Sequence, residues 1–142
     1  MTVKEYLQQA DRLNQRINAG VAESRRLRQL ATSISSPGYG EKVQHSRGTE
    51  APFARQIEKI SLLEERINAD IDLLITLKEQ IHKMLDTLPN QDERLIIQYR
   101  YILGYQWDKI ADILGIGITT VHRKHRSALE NATLPENYVR IV

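Results

Sequence analysis

Six residues near the C-terminal end of the chain carry side chains suited to one kind of chemistry. Thr119, Thr120, His122, Arg123, Lys124 and Arg126 bring hydroxyl, imidazole, ammonium and guanidinium groups into eight consecutive positions. Such groups donate hydrogen bonds to base edges and phosphates, and arginine in particular matches the two acceptors that guanine shows in the major groove. At helical spacing, Thr119, His122, Arg123 and Arg126 fall on one outer face. A run of charge of this kind is usually a solvated surface, so its meaning depends on the elements that present it.

Those elements are two short amphipathic segments between Gly104 and Ala132. Trp107, Ile110, Ala111 and Leu114 recur at helical spacing and predict a first helix that ends at Gly115. Ile118, Val121, Ala128 and Leu129 predict a second helix facing the same core. Gly115 supplies the positive φ the turn needs, Ile116 plugs the gap after it, and Ala111 is small enough for two helices to cross closely. The pattern is that of a helix-turn-helix, whose second helix offers its polar face to a duplex.

The remaining composition excludes much else. There is no cysteine, and so no disulfide, thiolate metal site or cysteine nucleophile. His122 and His125 are three residues apart but lack a partnering carboxylate or a His-Glu-x-x-His spacing, and Gly38, Gly40 and Gly48 fit no nucleotide fingerprint. No catalysis, metal or cofactor is expected. Histidines beside arginines on such a helix are read as phosphate or base contacts, and His45 and His82 as ordinary surface. The net charge is only +2, so attraction to nucleic acid must come from local clustering. No apolar run is long enough to span a bilayer, and a cytosolic location is expected.

Upstream, Val3, Leu7, Ala10, Leu13, Ile17 and Val21 form a narrow stripe on a long polar helix. Thr2 and Glu5 have capping-box spacing, and Gly20 is expected to fray the helix locally. Ser35-Ser36-Pro37-Gly38 ends it and opens a polar loop over 35–51, in which Lys42 and Arg47 are most simply solvated. A second long helix follows from about Ala54 to Leu88. Its apolar positions, from Ile57, Ile60 and Leu63 to Leu85 and Leu88, advance by about 3.4 residues per step, near the 3.5 of a coiled coil. The two helices can pair as an antiparallel hairpin. The second stripe is longer than the first, so a dimer or higher oligomer is expected. Pro89 breaks the second helix, and Asn90 with Glu93 starts a third, with Leu95, Ile96, Tyr99, Ile102 and Leu103 as its inner face and Gly104 as its stop. The chain is thus expected to be all-α. Residues 1–88 form a coiled-coil-like hairpin for oligomerisation or partner binding, 89–132 a three-helix DNA-binding domain, and 133–142 a tail whose apolar residues pack on the domain or on a neighbouring subunit.

From Leu88 to Leu129 the sequence resembles region four of bacterial sigma factors, in its Leu-Pro, its acidic capped helix, its tyrosine-rich end and its helix-turn-helix closing on Ser-Ala-Leu. With the hairpin and the Ser-Pro loop, the whole is similar to small phage and prophage regulators of the ArpU and RinA-like type. The resemblance implies a sequence-specific regulator of transcription that binds double-stranded DNA, reads it with residues 118–132, and touches bases and phosphates with Thr119, Thr120, His122 and Arg123, with Arg126 further along. It also brings host RNA polymerase into view as a partner. The sequence departs from the family at Gly117, usually Ser or Thr, at Ile118, where a polar contact is common, and at Lys124, usually Ile or Leu, whose stem must cover core while its ammonium reaches outward. No segment of the first ninety residues offers the exposed aromatics that capture an unstacked strand, so a complete sigma factor is not expected. The alternatives are a DNA-packaging subunit resembling a small terminase, and a protein-only coiled-coil adaptor.

Overall fold

The computed structural model describes residues 1–34 and 46–141, and among these it is entirely helical and loop. Five α-helices follow in order: α1 Val3–Ile34, α2 Ser46–Asp86, α3 Gln91–Ile97, α4 Trp107–Leu114 and α5 Ile118–Asn131. The polar stretch expected over 35–51 lies outside the described residues as far as position 45. Its last part is helical, because α2 begins at Ser46, before the expected start at Ala54, and carries Pro52 inside it. Apolar content set the expected boundary, but apolar content reports burial, whereas Glu50, Ala51, Ala54 and Arg55 have adequate helix propensity without it.

The helices divide into two compact units, residues 15–71 and residues 1–14 with 72–142. This division runs through both long helices rather than at Leu88. Within 15–71, α1 and α2 run antiparallel: Arg16 pairs with Asp70 at 2.7 Å, Arg28 pairs with Glu64, and Gly20 faces Ile67. A methyl group built on Gly20 would lie 2.8 Å from Ile67 Cγ1. Glycine therefore admits the neighbouring helix, and α1 continues through it instead of fraying. Ala31 and Ile60 are buried in this unit, while Ile57, the first residue of the expected stripe, is exposed.

The second unit begins with the expected capping box. The Thr2 N–H donates to Glu5 Oε2 at 3.0 Å, and the Glu5 N–H donates to Thr2 Oγ1 at 3.1 Å. Tyr6, Leu7, Ala10 and Leu13 are fully buried, as are Leu77 and Ile81 of α2. Two glutamines then clasp the C-terminal tail. Gln80 Oε1 accepts from the Val139 N–H at 2.9 Å, and its Nε2 donates to the Asn137 carbonyl at 3.2 Å. Gln9 Oε1 likewise accepts from the Ile141 N–H at 2.8 Å, and its Nε2 donates to the Val139 carbonyl at 2.8 Å. Each side-chain amide stands in for a strand partner and satisfies extended backbone that would otherwise be unpaired. Tyr138 sets its ring edge-on to Tyr6, 5.9 Å between centroids.

Leu88, two residues beyond α2, is fully buried, and Asn90 caps α3 by accepting the Glu93 N–H at 3.1 Å. The third helix then widens into a π-helical turn over Gln98–Ile102, with the Leu103 N–H on the Gln98 carbonyl. One extra residue per turn moves the inner face along the sequence. Ile96, Ile97 and Tyr101 are buried, whereas Leu103, placed inward by an unbroken 3.6-residue period, is half exposed.

Candidate nucleic-acid interface

The helix-turn-helix is α4 and α5 joined at Gly115. That glycine adopts φ 67° and ψ 33°, and its N–H and that of Ile116 close back onto the end of α4 at the Asp112 and Ala111 carbonyls. Ile110, Ala111 and Val121 are buried with Ile96 of α3, and Trp107, Leu114 and Ile116 pack around them. The expected core is present with one exception. Ile118, assigned inward by its spacing from Val121, is 47% exposed, because it occupies the first position of α5 and its side chain tilts toward the N-terminal end, where no preceding turn of its own helix lies.

The six candidate residues do not share one environment. Thr119, Arg123 and Arg126 are exposed on the side of α5 opposite the buried Val121, His125 and Ala128. His122 is exposed on the flank, where its ring lies 4.9 Å from that of Trp107. Thr120 is half-buried. Lys124 is partly buried, and its ammonium donates to Asp92 Oδ2 of α3 at 2.5 Å. Glu130, near the C-terminal end, is the only acid of α5. The N-terminal two thirds of the outer face is therefore polar and positive.

His125 is not a surface contact. It is buried, its Nε2 shares a hydrogen bond of 2.8 Å with the Tyr101 hydroxyl, and its ring meets Trp107 edge-on at 4.6 Å. Burial, aided by the positive charges of Lys4, His122 and Arg100, pulls its pKa down to about 4, so the ring is neutral at pH 7. Tyr101 is pushed up to about 12 by its own burial, with Arg100 and Asp11 acting in opposite directions. Arg100 lies over the Trp107 ring at 4.8 Å and donates to the Tyr105 carbonyl at 3.0 Å, fixing the entry to α4.

A second set of contacts sets the position of α5. Glu93 of α3 is buried; its Oε1 accepts from Ser127 Oγ at 2.6 Å and its Oε2 from Asn131 Nδ2 at 3.4 Å. Glu93 thus turns to α5 rather than back to its own helix start, as a complete capping box would need. The pairs Asp92–Lys124 and Glu93–Ser127, and the Tyr101–His125 contact, escaped the sequence because they join residues 24 to 34 positions apart. The one signal available was the acidic start of α3 set against the polar flank of α5.

Residues 78–131 match the family model for sigma-70, region 4. No curated protein and no solved structure matches the chain. The matched segment starts in α2 at Lys78, ahead of the boundary expected at Pro89, and ends with α5 at Asn131. It therefore takes in the end of the long helix that the compact unit also includes. With α4 and α5 joined at a left-handed glycine and held by α3, residues 78–131 are similar to sigma-70 region 4, a DNA-binding helix-turn-helix module, over about two fifths of the chain.

Proposed function

We propose that the protein is a sequence-specific regulator of transcription, of the phage or prophage late-gene activator kind, that reads the major groove of duplex DNA with α5. The observation that carries this reading is the division of α5 into a buried side, Val121, His125 and Ala128, and an exposed side bearing Thr119, Arg123 and Arg126. Arg123 is assigned the bidentate contact with guanine, Arg126 a phosphate, and Thr119, Thr120 and His122 the neighbouring base edges and backbone. Lys124 reaches phosphate only when its pair with Asp92 opens. Host RNA polymerase is a proposed partner, as the sigma resemblance implies, and the bacterial cytoplasm the proposed location. Self-association is proposed from the large apolar residues exposed along α2, Ile57 and Leu62 in one unit and Leu73 and Ile75 in the other.

Selection of bound sequences from a random duplex pool, with the mass of the complex measured on the same preparation, tests the proposal. A regulator enriches a motif in paired half-sites and binds it as a dimer. Arg123→Ala then loses about 1–3 kcal/mol on that motif and tolerates other bases at one position. A ring of roughly eight or more subunits is instead the mark of a DNA-packaging component. Absence of any enrichment, or an Arg123→Ala variant that binds random and selected DNA as the wild type does, overturns the reading.

A further inference from the structure

The first position of α5 is occupied by a β-branched apolar residue that the fold leaves uncovered. Ile118 is 47% exposed. The turn before it carries little that could shield it, because Gly115 and Gly117 have no side chains and a methyl group built on either would meet no atom within 4 Å. Gly117, at φ −70° and ψ 153°, caps the helix without a side-chain hydrogen bond. Cα–Cβ bonds tilt toward a helix's N-terminus, so Ile118 projects ahead of α5, beside exposed Thr119. In a helix-turn-helix the N-terminal residues of the second helix meet the base edges. The apolar group on offer there is the C5 methyl of thymine, which distinguishes a T·A pair in the major groove.

We infer that Ile118 is a specificity-determining residue that packs on the C5 methyl of a thymine in each half-site. This rests on the proposal that α5 reads the major groove, and adds an apolar element to the polar contacts of Arg123 and Thr119. Desolvation of one methyl group against an aliphatic side chain corresponds to a change of about fourfold in affinity.

The test uses the full chain and the duplex selected from the random pool, with each thymine replaced singly by deoxyuridine, which lacks only the methyl group. Wild type and Ile118→Val are expected to lose about fourfold at one thymine per half-site. Ile118→Ala and Ile118→Ser are expected to bind the thymine and uracil duplexes equally, while melting as the wild type does. Arg123→Ala should retain the uracil penalty, since it removes a different contact. Failure of every uracil substitution to weaken the wild type overturns the inference, as does a penalty that persists at full size in both Ile118→Ala and Ile118→Ser. If the pool yields no motif at all, the proposal of a sequence-reading α5 falls, and the inference with it.

Discussion

At the scale of single residues, His125 shows how the helix-turn-helix ties its stability to protonation. The ring sits within hydrogen-bond distance of Tyr101 and against Trp107, with Lys4, Arg100 and His122 supplying positive charge nearby and Asp11 acting on Tyr101. Its pKa is lowered from 6.5 to about 4, so the folded chain binds fewer protons here than the unfolded chain does between those values. Stability is full above pH 6.5 and falls as the pH drops through that window. Urea unfolding is expected to show a loss of about 2 kcal/mol between about pH 7.5 and pH 5, where most carboxylates are still ionised. In His125→Gln that loss should largely disappear. An unchanged pH profile in the variant would show that other groups carry the dependence.

The same residue marks a limit of what sequence reveals. Gly115, the Thr2–Glu5 box and the Asn90 cap were legible because each acts on backbone within a few positions of itself. His125 sits in a basic run, HRKHR, and nothing local separates its buried ring from the exposed one of His122. Only its phase on α5, four residues after Val121 and three before Ala128, places it inward. In a run so rich in charge, that phase is the weaker signal.

At the scale of elements, the orientation of α5 depends on α3. Glu93 is buried and accepts from Ser127 and Asn131, while its neighbour Asp92 takes the Lys124 ammonium. The Lys124 pair is partly exposed and contributes little to stability. Glu93 differs because its carboxylate is out of water, and a hydrogen bond to a buried charged group contributes about 1.5–3 kcal/mol. Glu93→Ala and Ser127→Ala should each destabilise the chain, and the double variant should cost less than their sum by about 1–2 kcal/mol in urea unfolding. Additive losses would mean that the two side chains do not act on one another. The π-helical turn after α3 belongs to the same scale. It advances the inner face by one residue, putting Tyr101 rather than Arg100 against His125, and it leaves no mark in an apolar pattern read at a constant 3.6-residue period.

At the scale of the whole molecule, the matched family segment is not the compact unit. The match covers 78–131, whereas the unit that holds it also takes in residues 1–14, the preceding turns of α2 and the tail. The two long helices and the break at Pro89 were readable from the stripes and from the proline. The sharing of helix ends was not, because a continuous stripe does not say which neighbour covers each stretch of it. The energetics of the shared region are substantial. Tyr6, Leu7 and Leu13 have no exposed surface, and burial of a side chain of that size contributes roughly 1.5–3 kcal/mol. Tyr6 also donates to Gln80 at 2.9 Å, and Gln9 holds the tail at Val139 and Ile141. Their summed contribution is comparable to the net stability of a small domain, about 5–15 kcal/mol. A chain cut to residues 72–142 contains the entire family match, yet it is expected to lack a cooperative thermal transition and dispersed amide resonances. Adding residues 1–14 as a separate peptide should restore part of the helical signal. A 72–142 fragment that melts cooperatively at the temperature of the full chain would show that the start of α1 is dispensable to the helix-turn-helix it packs within.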